Sequence, residues 1–203
     1  MVERKQGLRE VRRARTRRTI QEHAMRLFTE RGYEATTVAD VAAAAEVSSM
    51  TVFRYFPTKE DLVLADEYDP VIVDRIRARP AGEPLMHRIG AALVESTADH
   101  GPADRAMLLA RLRLGLTVPA LRARMWDGQY RTQRYIVEAL RGESPNPDQE
   151  FELWVATGAC IAAATAAIVH WAERGGREDL AELMATALRI VTPSGSTHTG
   201  SGQ

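Results

Sequence analysis

The stretch that decides the fold runs from Thr37 to Lys59 and reads TVADVAAAAEVSSMTVFRYFPTK. The helical spacing of its apolar residues predicts two short helices, at 37–45 and 49–55. A tight turn that includes Glu46 separates them. Two short helices joined in this way form the helix-turn-helix layout. The stretch therefore predicts a small helical domain near the N-terminus.

Capping residues indicate where these helices begin. Thr37 and Asp40 form a capping-box pattern at the start of the first helix. Ser48 or Ser49 can cap the second helix. Pro57 then ends the helical stretch, because proline cannot donate the hydrogen bond that a continuing helix needs.

An amphipathic helix predicted over 12–31, ended by Gly32, precedes the two short helices. Helical spacing predicts that the inward side chains of all three helices form one core, made of Ile20, Ala24, Phe28, Val38, Val41, Ala42, Val47, Val52 and Phe56. The outward face of the third helix then carries a mixture of small polar, apolar and cationic groups, namely Ser49, Met50, Phe53 and Arg54, with Tyr55 near its C-terminal end.

Helical periodicity continues to the end of the chain, and strand patterns are nearly absent, so we predict an all-α fold of about nine helices. The further helices are predicted at 58–78, with Pro70 as a kink or break, and at 84–99, 103–116, 119–141, 148–174 and 178–191. The predicted domains are a basic flexible arm (1–11), a helix-turn-helix domain (12–57), a helical ligand-binding and dimerisation domain (58–192) and a disordered tail (193–203).

The charges are unevenly distributed along the chain. The 203 residues hold 27 basic and 27 acidic side chains, but residues 1–60 carry a net charge of +4 and residues 61–203 a net charge of −4. A basic end on a neutral chain favours a polyanionic partner for that end. A solvated, partly disordered tail is the alternative explanation.

The predicted third helix has the chemistry of a major-groove reader. Arginine can bond guanine edges or phosphates, serine and threonine can bond either, and apolar groups can contact thymine methyls. The N-terminus of the helix at Thr37 offers free N–H groups to a phosphate, and Lys59 lies where it can hold another. Arg12, Arg13 and Arg17 are expected to add salt-dependent affinity. An ordinary helical hairpin with polar surface residues is the alternative.

The segments RGYEATTVADVA (31–42) and VSSMTVFRYFPTKEDL (47–62) resemble the N-terminal domain of tetracycline-repressor (TetR) family regulators. The resemblance covers about residues 12–65. It implies a homodimeric repressor, a palindromic operator in double-stranded DNA, and release by a small molecule. The residues expected to contact DNA are Thr37, Ser48, Ser49, Met50, Thr51, Phe53, Arg54, Tyr55 and Lys59, of which Ser49, Met50, Phe53 and Arg54 are expected to face bases.

The chain departs from the family pattern at three positions. Glu46 stands in the turn where the family usually has glycine, so a left-handed conformation there would cost more. Met50 replaces a residue that is usually small, and Phe53 replaces a common tyrosine, whose hydroxyl is therefore missing. Tyr55 keeps a second hydroxyl. These departures leave the operator sequence unpredicted.

The C-terminal half resembles known proteins less. Segments 111–114 and 119–124 are similar to a group of actinobacterial TetR-type regulators suspected of sensing acyl-coenzyme A or other lipophilic ligands. Apolar walls with a few polar groups are typical of bundle pockets, and the predicted ligand-binding residues are Trp126, Tyr130, Phe151, Trp154, Thr165 and His170. As an alternative, the aromatic residues simply fill the core, and His170 is a core histidine with a satisfied hydrogen bond.

Two apolar helices, at about 148–174 and 178–191, are predicted to form a four-helix interface between two subunits. The uncharged segment 153–171 is long enough to cross a membrane, but its many alanines favour a buried helix. The single cysteine, Cys160, permits no intramolecular disulfide and favours a cytoplasmic location. We expect it to be inert if it is buried.

The sequence offers little support for an enzyme. It contains no recognisable Ser-His-Asp set, paired carboxylate motif, phosphate-binding glycine loop or zinc spacing. We therefore expect no catalytic residues, no metal and no cofactor. A small helical enzyme and a membrane-anchored protein are the competing hypotheses.

Overall fold

The computed structural model describes residues 2–64, 68–98, 101–141 and 147–192, which form helices and turns without a strand. The predicted all-α fold class is confirmed. The described residues form ten helices: α1 (Val2–Arg31), α2 (Val38–Ala44), α3 (Ser49–Tyr55), α4 (Asp61–Leu64), α5 (Tyr68–Ala78), α6 (Leu85–Ala98), α7 (Pro102–Thr117), α8 (Pro119–Leu140), α9 (Pro147–Glu173) and α10 (Leu180–Val191). The tail predicted at 193–203 lies outside the described residues.

Two boundaries differ from the predicted ones. α1 starts at Val2 rather than near Arg12, so the arm predicted at 1–11 is helical from its second residue. No proline interrupts it, and its many arginines are good helix formers. The helix predicted over 58–78 is observed as α4 and α5. Pro70 lies in the first turn of α5, where its missing N–H breaks no helical hydrogen bond.

The described residues belong to two compact units. The first is built from Met1–Asp66 and Ala103–Asp127, and the second from Glu67–Pro102 and Gly128–Gln203. The first unit therefore contains α1 to α4 together with α7 and the first part of α8. The sequence predicts only the N-terminal segment of this unit, because nothing local indicates that the later helices belong to it.

The core of the first unit contains the residues predicted to fill it. All of them are buried except Val38 and Val47, which are partly buried and pack against the same core. The structure adds further apolar residues to this core from α4, α7, α8 and the junction between α7 and α8, namely Leu62, Val63, Met107, Leu114, Val118 and Leu121. The core is therefore larger than three helices could supply.

The second unit packs α6, α9 and α10 against one another, with α5 against α6. Gly175 and Gly176, both with positive φ, lie between α9 and α10 at the predicted break. Trp171 is buried just before them, and its indole N–H donates to the carbonyl of Glu178 at 2.9 Å. This hydrogen bond satisfies the polar group of the large apolar side chain and fixes the turn.

One side of α9 is buried in the second unit. By length and hydropathy the helix could cross a membrane, but Leu153, Thr157, Ala164 and seven further residues are covered by the protein itself. This burial favours the core-helix interpretation. Cys160 lies on the buried side, and burial raises the pKa of its thiol to about 11. Because the thiolate is the reactive form, Cys160 is expected to be inert at neutral pH.

Candidate nucleic-acid interface

The turn between α2 and α3 contains a residue in the left-handed conformation. Glu46 has a φ of 54°, as its place in the turn suggested. Its N–H donates to the carbonyl of Ala43 at 3.2 Å, and the N–H of Val47 donates to that of Ala42 at 3.0 Å. This conformation costs a residue with a Cβ about 1–2 kcal/mol. The turn is therefore closed at a cost that glycine would avoid.

Hydroxyl groups cap α2 and α3. Thr37 Oγ1 accepts from the N–H of Asp40 at 3.1 Å, and the Asp40 carboxylate accepts from the Thr37 hydroxyl at 2.6 Å and N–H at 2.8 Å. These hydrogen bonds hold the pKa of Asp40 below its usual value. Ser48 Oγ accepts from the N–H of Thr51 at 3.1 Å. Three of the predicted DNA-contacting residues, Thr37, Ser48 and Thr51, thus also fix the helix ends.

The outward face of α3 presents large side chains that the core does not use. Met50 exposes 77% of its surface and Phe53 exposes 46%. Arg54 is exposed beside them, whereas Val52 on the opposite side of the helix is fully buried. Ser49 is half-buried at the start of the face. The structure therefore brings the four residues predicted to face bases to one exposed helix surface.

Lys59 is positioned just before α4. Its Nζ lies 4.2 Å from the ring centroid of Tyr33 and 5.9 Å from that of Phe28, and such cation–π contacts favour a fixed ammonium position. Thr58 and Asp61 form a capping box around it, with N–H to oxygen distances of 2.9 and 3.3 Å. These contacts fix the positions of both the backbone and the ammonium group of Lys59.

Two arginines of the first unit hold the ends of α4. Arg124 of α8 donates to the hydroxyl of Thr58 at 2.7 Å and lies 3.3 Å from a carboxylate oxygen of Asp61. Arg111 of α7 donates to the carbonyl of Val63. Both arginines lie in the segments that resemble relatives, but the sequence predicts no role for them, because their partners lie 66 and 48 positions away along the chain.

The geometry agrees with the results of family comparison. A family model described as "Bacterial regulatory proteins, tetR family" matches residues 20–65. A TetR-type C-terminal model described as "MftR C-terminal domain" matches residues 83–195, more than half of the chain. The chain belongs to the TetR family.

Relatives of this TetR-family protein include the HTH-type transcriptional regulator TcmR of Streptomyces glaucescens, 37% identical over 124 residues, which is 58% of this chain and 55% of TcmR. An uncharacterised HTH-type transcriptional regulator of Mycobacterium tuberculosis is 30% identical over 138 residues, 64% of this chain and 66% of that protein. The matched region thus spans about half to two thirds of these relatives.

Solved structures with the same fold include Thermus thermophilus FadR, a TetR-family repressor in complex with lauroyl-CoA. It is 27% identical, with a TM-score of 0.54, and the match covers 92% of this chain and 100% of that one. The fatty acid degradation regulator FadR of Bacillus halodurans is 21% identical, with a TM-score of 0.56 and coverage of 88% and 95%. At that identity the second likeness concerns the fold alone.

Most of the aromatic residues predicted to bind a ligand are exposed in this TetR-family chain. Trp126, Tyr130 and Phe151 expose 65%, 57% and 71% of their surfaces. Trp154 is half-buried, and its ring stacks with Tyr130 at a centroid distance of 6.3 Å. The three exposed rings do not fill the core, contrary to the alternative explanation, and their role in ligand binding stays a prediction.

The predicted polar ligand residues are also in separate surroundings. Thr165 is half-buried, and its hydroxyl accepts a hydrogen bond from the side chain of Gln129. His170 is exposed, with its Nε2 3.9 Å from a carboxylate oxygen of Glu178, so it is not the buried histidine of the alternative interpretation. The structure does not bring the two residues together.

A surface groove of about 340 Å³ on the second unit is lined by none of the predicted ligand residues. Its lining comes from α5 and α8, and consists of Pro70, Val73, Asp74, Arg77, Tyr135, Glu138 and Ala139.

Proposed function

We propose that the protein is a homodimeric transcriptional repressor that binds a palindromic operator and is released by a small lipophilic ligand. The observation that carries this proposal is the outward face of α3. Ser48 caps the N-terminus of α3, and Val52 anchors the buried side of the helix in the core. The exposed side presents Met50, Phe53 and Arg54. A short helix presented in this way fits the DNA major groove.

Dimerisation is proposed through α9 and α10. At helical spacing, Val155, Ala162 and Ala166 leave an exposed apolar stripe on α9, and Ile190 is exposed on α10. Burying such a stripe against a second copy would supply an apolar interface with close helix approach. Twofold symmetry then places two recognition helices on half-sites about one helical turn apart.

Several apolar and small residues of the two helices predicted to form the dimer face are instead used inside the subunit. Leu180, Met184 and Leu188 of α10 are buried within the second unit. A Cβ built on Gly158 of α9 would lie 2.7 Å from the side-chain nitrogen of Gln133. Gly158 therefore permits contact between α8 and α9 of one subunit, and the proposed dimer face is limited to the exposed residues.

An acyl-coenzyme A is the proposed class of ligand. The support is the match to the Thermus thermophilus repressor in complex with lauroyl-CoA, which is 27% identical over nearly the whole of this chain. The cytoplasm, where both operator DNA and acyl-coenzyme A would be found, is the proposed location.

DNA binding is tested first. Electrophoretic mobility shifts with purified protein and DNA from upstream of its own gene, at low salt, should give a retarded complex. Analytical ultracentrifugation of that complex should give two subunits for each palindromic site. If neither this DNA nor any member of a random-sequence library is bound, the repressor proposal is wrong.

The ligand is tested separately. Thermal-shift measurements with lauroyl-CoA should raise the melting temperature, because a ligand that binds only the folded state stabilises it. Free coenzyme A and laurate are the matched controls. If acyl-coenzyme A species of several chain lengths all fail to shift the melting temperature, the acyl ligand is excluded while the DNA proposal stands.

A further inference from the structure

The exposed face of α3 carries two large apolar side chains that folding leaves in water. Met50 exposes 77% of its surface and Phe53 exposes 46%. Residues three and four positions apart are neighbours on a helix, so Met50, Phe53 and Arg54 share one face. Val52 points to the opposite side and is fully buried. Met50 and Phe53 therefore form an apolar patch that is directed away from the core.

The side chains of α3 permit only some of the contacts by which proteins recognise bases. Adenine is recognised by asparagine or glutamine, and cytosine by a carboxylate that accepts from its amino group. α3 contains none of these residue types, and the nearest carboxylates are those of Glu46 and Glu60, beyond its two ends. The base contact that suits two large apolar groups is the C5-methyl of thymine.

The charges around the apolar patch match a DNA groove better than an apolar protein surface. Residues 47–59 carry two cations, Arg54 and Lys59, and no carboxylate. Arg54 is exposed on the same face as the patch, and the ammonium group of Lys59 lies 4.2 Å from the ring centroid of Tyr33. Thymine methyls lie in the major groove between two rows of phosphates. An apolar patch accompanied by cations is complementary to such a groove.

We propose that Met50 and Phe53 determine operator specificity by contacting thymine methyls in the major groove. Each operator half-site then contains at least one thymine whose methyl lies against the apolar patch. This inference rests on the proposed DNA-binding function and deepens it, because it names the chemical group that α3 recognises.

The hydrophobic effect sets the size of the expected effect. Burying one methyl group against apolar side chains strengthens binding about fourfold. A dimer on a palindromic operator makes the contact twice, so removing one methyl from each half-site should weaken binding about 16-fold.

The DNA part of the test replaces thymine by uracil, which lacks the C5-methyl but keeps the same Watson–Crick hydrogen bonds. An operator is selected from a random-sequence library, and symmetric pairs of its thymines are replaced one pair at a time. Fluorescence anisotropy measures the affinity of the wild-type protein for each duplex. At least one pair should show the loss expected for two methyls, and thymines in the flanking sequence, as controls, should show none.

Protein variants then assign the methyl contact to the apolar patch. Met50→Ala and Phe53→Ala should each abolish most of the uracil effect at one thymine pair. Met50→Leu, which stays apolar, should keep the effect, whereas Met50→Gln, which is polar and of similar length, should lose it. Val71→Ala, at an exposed apolar residue of α5, is the control. Circular dichroism checks that each variant is folded.

The salt dependence provides a second measurement on the same proteins. Met50→Gln removes no phosphate contact, so its slope of log affinity against log salt should equal that of the wild type. A changed slope would contradict a contact made to a base methyl alone.

Two further results would overturn the inference. One is an affinity that uracil leaves unchanged at every thymine pair, and the other is a uracil effect that both alanine variants retain in full. An effect retained in full by one variant would overturn the assignment of that residue. If the wild-type protein binds no DNA from the library, the proposed function itself fails, whereas a protein that binds DNA but ignores uracil refutes this inference alone.

Discussion

Phe56 and Phe151 are both phenylalanines, but their surroundings are opposite. Phe56, which ends α3, is fully buried in the core of the first unit, with the guanidinium carbon of Arg17 4.9 Å from its ring centroid. Phe151, in the first turns of α9, exposes 71% of its surface. In the helix-turn-helix region, the exposed side chains lie on helices that are anchored by a filled core. The α8–α9 region instead presents aromatic rings beside polar side-chain contacts.

This difference separates two meanings of an exposed aromatic residue. Beside a filled core, a side chain such as Phe53, which is 46% exposed, contributes little to folding and is available for a partner. On α9 the exposed ring of Phe151 lies one helical turn from Val155, in the stripe through which dimerisation is proposed. Substitutions in the two regions should therefore have different effects on stability and on binding.

The largest contrast is expected from the two phenylalanines themselves. Phe56→Ala should lower the free energy of unfolding by about 3–5 kcal/mol, because it removes a fully buried ring and leaves a cavity. Phe151→Ala should change the stability of the dissociated subunit by less than about 0.5 kcal/mol. Urea unfolding followed by circular dichroism, at a concentration low enough to dissociate a dimer, measures both. Equal losses of unfolding free energy in the two variants would mean that Phe56 and Phe151 do not differ in their contribution to folding.

The next largest effect is expected on the exposed face of α3. Phe53→Ala should weaken binding to the selected operator by about tenfold, the scale of one lost base contact, while leaving the unfolding midpoint unchanged. Anisotropy titrations and thermal melts of the same samples provide the two measurements. An unchanged affinity would mean that Phe53 is exposed without contacting DNA.

A smaller effect is expected at α4. Arg124→Met should destabilise the first unit by about 1–2 kcal/mol, since it leaves the Thr58 and Asp61 side chains without their charged partner. Arg122→Met, an exposed arginine on the same helix, is the control and should be nearly neutral. Urea denaturation of both variants checks this, and similar losses would mean that the Arg124 contacts contribute little.

The smallest effect is expected in the turn, and it has the opposite sign. Glu46→Gly should stabilise the protein by about 0.5–1 kcal/mol, because the relief of left-handed strain exceeds the backbone entropy that glycine loses on folding. Affinity for DNA should not change. A lower melting temperature for this variant would show that the turn is not strained.

Local patterns in the sequence determined most of the helix-turn-helix. The capping pairs, the apolar spacing and the turn involve residues within a few positions of one another, and their geometry follows from the helical repeat. The buried positions of Ile20, Val52 and Phe56, the left-handed Glu46 and the exposed α3 face were all predictable for this reason.

Tertiary structure alone decided where the more distant segments lie. Arg111 and Arg124 bind the ends of α4 although they are 48 and 66 positions from their partners along the chain. Gly158 packs against Gln133 of α8 in its own subunit. Whether an aromatic residue on α8 or α9 is buried depends on which helix packs against it. Helical periodicity indicates an apolar face but not its neighbour, so the sequence determined the exposed face of α3 in detail, and only the packing of the helices decided which aromatic residues stay exposed.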